Sequence, residues 1–308
     1  MLTCVATLLL SAQETAPAPS AGAPPPPAET RLEITSLANA GFLLHAGEYS
    51  VLIDSFVKEP YKEYEALPSD VFKKMANGEA PFAGYALALV SHNHPDHFQP
   101  LAAKRFLTSN PNSALLSSPQ VVEAMRPGEK GDKEAFKKIR NQVREVPVKK
   151  GEAKILKHQG MTVEMMLLAH GGEQNRGIVQ NYGHLITMGG FNVLHIGDAD
   201  MDPAIFEPYR FAERNIDVAL VPCWFFADEK GVRIVDELIR PRAVVACHIP
   251  AAEKELFIER MELENPHVKV FAKPMETLVL DRSQEEPAPE PEPTPDSGTT
   301  DDDETAGG

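Results

Sequence analysis

Apolar and polar positions along this chain fall into short runs divided by glycine rather than into long helical stripes. Residues 32–37, 42–45 and 51–53 are largely apolar and are punctuated by Gly41 and Gly47, which predicts three consecutive antiparallel strands. Residues 85–90 are continuously apolar and stop at a polar cluster, the profile of a buried strand that delivers a loop. A second meander is predicted over residues 162–168, 179–187 and 192–196. The pattern then predicts helix over 203–214, strand over 218–221, helix over 232–239 and strand over 243–247. β-rich blocks interleaved with helices predict two sheets flanked by helices, and no internal repeat stands out.

Composition changes the picture at the two ends. Residues 1–12 form a short apolar stretch closing on Ser11-Ala12, which resembles the core and cleavage site of a secretory signal. It predicts an exported or periplasmic protein rather than a cytoplasmic one, although no lysine or arginine precedes Arg31. Residues 15–30 are rich in Pro and Ala, with four prolines from Pro24 to Pro27, and predict an extended linker. A tail over 282–308, where prolines alternate with acids before Asp301-Asp302-Asp303-Glu304, is expected to be disordered. The folded domain is therefore expected over 31–281.

From Ser283 onward there are nine acids and no base, so of a net charge of −15 only about −6 belongs to the rest. A mildly acidic domain has no pull on phosphate backbones, which argues against a nucleic-acid partner. No apolar run is long enough for a membrane span. Cys4, Cys223 and Cys247 have neither disulfide-framework nor structural-zinc spacing, and the last two read as buried thiols.

The chemistry is concentrated in the histidines. Ser91-His92-Asn93-His94-Pro95-Asp96-His97 directly follows the apolar run ending at Val90. In an extended segment residues two apart point the same way, so His92 and His94 can grip one cation from one side. Pro95 favours a change of direction, after which Asp96 and His97 can start a helix and face a second cation. Imidazole and carboxylate suit zinc, manganese or iron. His170, Asp198 and His248 each stand at the polar end of a later strand-like run, and are the expected partners.

His92-X-His94-X-Asp96-His97, then His170, the pair Gly197-Asp198 and finally His248, in this order, resemble the metal motifs of the metallo-β-lactamase superfamily. Ala40-Gly41-Phe42-Leu43 with Val51-Leu52-Ile53-Asp54 resembles its opening strands, and residues 239–245 its final strand. The spread of motifs is most similar to the branch of L-ascorbate-6-phosphate lactonase and N-acylphosphatidylethanolamine phospholipase D. The resemblance implies an α+β fold, a four-layer αββα sandwich with the site at the edge between the sheets. It implies that His92, His94 and His170 hold one divalent ion, that Asp96, His97 and His248 hold another, and that Asp198 bridges them. Zn(II) is the expected metal, with Mn(II) or Fe(II) as alternatives.

An aspartate at the bridging place argues against antibiotic cleavage, because the commonest zinc β-lactamases carry a cysteine there. His94 stands where flavodiiron proteins carry glutamate, and the about fifty residues between Asp198 and His248 leave no room for the inserted domain of nucleic-acid-cleaving relatives. The function implied is a binuclear hydrolase in which hydroxide shared by two cations attacks a phosphodiester, lactone or other small ester. Asp96 and Asp198 are the expected catalytic acids. The alternative is a single-iron persulfide dioxygenase.

Asp54 reads either as a group supporting the metal loop or as a strand-terminal turn residue. His195, three residues before Asp198, reads either as a packed side chain or as a hydrogen-bond partner of a ligand, and His184 reads as packed. Substrate selection is expected from residues 55–84, 171–176 and 223–226. Trp224, Phe225 and Phe226 would form an apolar wall for a lipid-like group or simply pack under a loop, and Arg176 would meet an anionic group or stay solvated.

Overall fold

The computed structural model describes residues 30–84, 87–126 and 133–283. The signal-like segment, nearly all of the linker and of the acidic tail, and the first two residues of the expected strand over 85–90 lie outside the described residues.

β1 (Arg31–Ala38), β2 (Gly41–Ala46) and β3 (Tyr49–Ile53) form the antiparallel meander that the sequence predicts. β4 (Leu87–Val90), β5 (Ala114–Ser117) and β6 (Val143–Glu145) extend this sheet in parallel. The second sheet contains β7 (Ala153–His158), β8 (Met161–Leu167), β9 (Tyr182–Met188) and β10 (Phe191–His195) as an antiparallel meander. It continues in parallel through β11 (Val218–Pro222), β12 (Ala243–Cys247) and β13 (Val268–Val270). β14 (Thr277–Asp281) returns to pair with β1, so among the described residues each sheet has seven strands.

Period-two alternation divides the side chains between three layers of core. Phe42, Leu44, Val51, Ile53, Leu87 and Leu89 face Val163, Met165, Ile186 and Val193 between the sheets. Leu43, Leu52, Ala88 and Val90 point outward and meet α1 (Ser69–Asn77), α2 (Pro100–Ser109), α3 (Pro119–Met125) and α4 (Lys133–Ile139). On the far side Leu194, Ala219, Val221 and Val244 meet the π-helical turn Ile234–Ile239, which continues α5 (Glu229–Arg233), and α6 (Lys254–Glu264). Each fully buried Leu, Ile or Val contributes about 1.5–3 kcal/mol, so the strand ends rest on a stiff support. This is the four-layer α+β sandwich expected from the sequence.

Two expectations need correction. Residues 203–214 are not one helix but three short 3-10 turns, Pro203–Ile205, Glu207–Tyr209 and Phe211–Glu213. Pro208 removes a helical N–H and clashes with the preceding turn, and Arg210 has φ of 49°. Asp96 and His97 do not begin a helix either. The N–H groups of His97 and Phe98 both donate to His94 O, while Gln99 N donates to Phe56 O at 2.9 Å, which holds the chain extended until α2 starts at Pro100. Among the described residues no helix is long and apolar enough to cross a membrane.

Candidate metal centre

Five strand ends deliver the site. Asp54 follows β3, Ser91 to His97 follow β4, His170 follows β8 by three residues, Asp198 follows β10 by three, and His248 directly follows β12. Parallel strands end together at their C-terminal edge, so residues far apart in sequence converge there. The two sheets are tied at this edge by Tyr182 N donating to Ser91 O at 2.9 Å, and Gly171 N and Asp200 N bond Asp198 O and Ala169 O at 2.8 Å.

All seven residues singled out from the sequence come together. His92 Nε2 lies 3.0 Å from His94 Nδ1 and 3.3 Å from His170 Nε2, and His170 Nε2 lies 3.2 Å from His94 Nδ1. His97 Nε2 is 3.6 Å from Asp96 Oδ2, and His248 Nε2 is 3.1 Å from the same oxygen. Asp198 stands between the two groups. Its Oδ2 is 3.6 Å from His170 Nε2 and 3.3 Å from His248 Nε2, and its Oδ1 is 3.2 Å from His97 Nε2.

The groups behind these atoms set their tautomers. His170 Nδ1–H donates to Gly171 O at 2.6 Å, which leaves Nε2 with its lone pair when the ring is neutral. His97 Nδ1–H donates to Asp54 Oδ2 at 2.9 Å. Ser91 Oγ–H donates to the same Oδ2 at 2.5 Å, so the serine oxygen is left to accept His92 Nδ1–H at 2.9 Å. Ser91 N also donates to Asp54 Oδ1 at 2.7 Å. One buried carboxylate thus orients a ring of each group, and Asp54 takes the supporting role rather than that of a mere turn residue.

Electrostatics divide the histidines. Burial and the neighbouring rings hold His92 well below its ordinary range, and burial with His170 lowers His94. Burial opposes charge on His97 too, but Asp198 and Asp54 outweigh it and raise the ring well above its usual value. His248 is pushed up to about 9, because Asp198 and Asp96 overcome its desolvation. Asp198 is held well below the carboxylate range by His97 and His248 despite its burial.

Whether these residues fit divalent ions can be tested on their unpaired atoms. His97 Nε2, His248 Nε2 and Asp198 Oδ1 are buried with no well-aligned hydrogen bond and meet one another and Asp96 only as charged contacts, an expensive arrangement unless a further group completes it. Three imidazole nitrogens 3.0–3.3 Å apart match the about 3.3 Å separation that two nitrogen ligands adopt on one tetrahedral zinc. The ligand atoms within each of the sets His92/His94/His170/Asp198 and Asp96/His97/His248 lie within 4.8 Å of one another. The residues fit two small divalent cations.

Several site residues had escaped the sequence reading. Asn39, in the left-handed turn between β1 and β2, donates Nδ2–H to Asp96 Oδ2 at 3.0 Å. Fully buried Asn181 accepts Asp198 N–H at 3.0 Å and donates to Leu168 O and Ile196 O, joining the strands that deliver His170 and Asp198. Tyr64 meets the His248 ring edge-on at 4.5 Å. An Asn beside the Ala40-Gly41 turn was one available signal, and Tyr64 lies in the 55–84 segment expected to select substrate; Asn181 had none.

Of the expected loop residues, Trp224 stands 5.1 Å from the His248 ring, whereas Phe225 and Phe226 are packed in the outer core. Arg176 pairs with Asp200, and both line a cavity of about 440 Å³ floored by Leu167, Ala169 and Tyr209 beside the strand end that carries His170. His184 and His195 are buried and stack at 6.1 Å between the sheets, with His195 Nε2 3.8 Å from Asp54 Oδ2.

The beta-lactamase superfamily domain model matches residues 33–248, which include every residue of this centre. The chain belongs to the beta-lactamase superfamily, and its fold is that of metal-dependent hydrolases. Similar solved structures include a metallo hydrolase from the archaeon Ignicoccus hospitalis, 18% identical, with TM-score 0.56, covering 82% of this chain and 99% of that one. The metallo-beta-lactamase fold protein YhfI from Bacillus subtilis is 17% identical, with TM-score 0.54, covering 82% and 100%. The isothiocyanate hydrolase from Delia radicum gut bacteria is 14% identical, with TM-score 0.53, covering 80% and 98%. No curated protein matches the chain.

Proposed function

We propose that this chain is a binuclear metal-dependent hydrolase acting on a small molecule with a phosphodiester, lactone or other ester-like bond. His92, His94 and His170 would hold one divalent ion and Asp96, His97 and His248 the other, with Asp198 shared between them. Zn(II) suits the nitrogen-rich set best, with Mn(II) or Fe(II) as alternatives. The observation that carries this reading is the double convergence of ligand atoms around one carboxylate, with Nε2 of His97 and His248 and Oδ1 of Asp198 buried without a well-aligned hydrogen bond. A second complete group speaks for two ions rather than for the single iron of a persulfide dioxygenase.

When bound, such an ion pair supplies Lewis acidity and a coordinated water of lowered pKa. The protein's own part is to fix the geometry. Asp54 and Gly171 O hold the rings so that their free nitrogens face inward. Asp96 stays ionised despite its burial because His248 and His97 favour its charge, and Asn39 pins the oxygen turned toward them. We assign Asp96 a proton shuttle: its ionised carboxylate would accept the proton released by the attacking water and pass it to the leaving group. Asp198→Ala is expected to abolish ester hydrolysis and to lower bound metal together; a fully active variant would overturn the proposal.

A further inference from the structure

The metal ligands account for the floor of the site but not for what stands around His248. Its imidazole has the ring of Tyr64 against it at 4.5 Å, tilted by 76°, and that of Trp224 at 5.1 Å, tilted by 73°. The two come from unrelated segments, and both remain partly open to solvent. Neither is loosely held. Trp224 Nε1–H donates to Ala199 O at 3.2 Å, one residue beyond Asp198, and its turn is anchored by buried Phe225 and Phe226. Tyr64 N donates to Tyr61 O at 3.0 Å, and Ala251 N to Glu63 O at 2.8 Å. The Lys254–Glu65 ion pair at 2.5 Å further pins the tyrosine turn to the chain that follows His248.

Charge at the opening points the same way. The cations carried by the segments beyond two ligands, Arg176 after His170 and Lys254 after His248, are each paired with a carboxylate, Asp200 and Glu65. Beyond any metal ions, arginine and lysine are the side chains best suited to meet the anionic oxygens of a phosphoester. Here the side chains flanking His248 are instead two aromatic rings, which favour an apolar or aromatic surface.

We infer that Tyr64 and Trp224 form a substrate-selecting wall that takes the uncharged aryl or alkyl group of a carbonyl-centred ester or lactone, in preference to a phosphodiester. The inference rests on the hydrolase reading above and narrows it to one substrate class. Trp224 and Tyr64 act as specificity residues, and the metal-binding groups do the chemistry whichever group the wall holds.

The chain has a single tryptophan, so its fluorescence reports on the wall directly. Metal-loaded full-length protein is titrated with phenylacetamide, an uncharged analogue, and with dimethyl phosphate. The expected result is a saturable change in emission with the amide, weakened about tenfold in Tyr64→Ala, and no response to dimethyl phosphate. In parallel, KM for phenyl acetate, butyrate and hexanoate should fall along the series, flatten in Trp224→Ala and recover in Trp224→Phe. A response to dimethyl phosphate alone, or the same chain-length trend in Trp224→Ala, overturns the wall. Binding of the amide without hydrolysis of any ester supports the wall and counts against the hydrolase reading. Ester hydrolysis without a fluorescence response does the reverse.

Discussion

Asp54 offers a sharp test of how the site is organised, because one carboxylate fixes a ring in each ligand group. In Asp54→Asn the side chain keeps its shape, and its oxygen can still accept Ser91 N–H, now bonded at 2.7 Å. The amide nitrogen then replaces the oxygen that accepts from Ser91 Oγ and His97 Nδ1. As a donor it reverses both bonds: His97 Nδ1 becomes an acceptor and its proton moves to Nε2, the atom facing Asp96 and Asp198. The Ser91 hydroxyl turns toward His92 Nδ1 and drives the same change there. Groups that orient metal ligands are worth about 10–100-fold in metal affinity, and each lost charge-assisted hydrogen bond costs about 1.5–3 kcal/mol. Both ions should therefore bind about 10–100-fold more weakly, and the metal-free protein, with two such bonds reversed, should lose about 3–6 kcal/mol of stability. Ser91→Ala should weaken chiefly the ion held by His92. Competition with a chromogenic chelator measures the affinities and urea unfolding the stability. Unchanged dissociation constants for both ions in Asp54→Asn would refute the reasoning.

Three further predictions follow from the same geometry. Metal-free protein at neutral pH should release about two protons on filling the Asp96/His97/His248 group, since both histidines are raised and must lose a proton to ligate. That group should lose metal first as pH falls, which calorimetry in buffers of different ionisation heat would detect. Gly197 has φ of 54°, and a Cβ there would lie 2.2 Å from Asn181 Oδ1 and 2.8 Å from Ser91 Cβ. Gly197→Ala should cost more than about 2 kcal/mol in denaturant titration and lower metal content as well. His184 is held neutral, its pKa pushed down to about 3 by burial and by His195. The unfolded chain binds that proton below about 6.5, so stability is full above that pH and falls on acidification toward pH 3, by up to about 5 kcal/mol. His184→Leu should flatten this acid limb of the stability profile; an unchanged limb would show that His184 is not its source.

The parts legible in the sequence were those with a local signature. Short apolar runs ending in polar residues marked β2, β3, β4 and β12 and placed Asp54, His92 and His248 at their ends. The ordered set of histidines and aspartates then implied both the fold and the ligand groups. Parts made by long-range bonds were not legible. The Phe56–Phe98 bridge stops Asp96 and His97 from entering a helix. β6 and β13 are three-residue edge strands whose pairing depends on the sheet already being formed. Asn181 and Tyr64 have no neighbouring motif; their roles arise only where strand ends and loops meet. Pro208 was in plain view, and its effect on residues 203–214 follows from its missing N–H.

The most direct test of the central claim is metal analysis by mass spectrometry on full-length protein purified without chelators or a metal-affinity column, beside Asp198→Ala. The account predicts about two divalent ions per chain, and fewer in the variant because its shared carboxylate is gone. A single iron per chain, or the same metal content in Asp198→Ala, would contradict it.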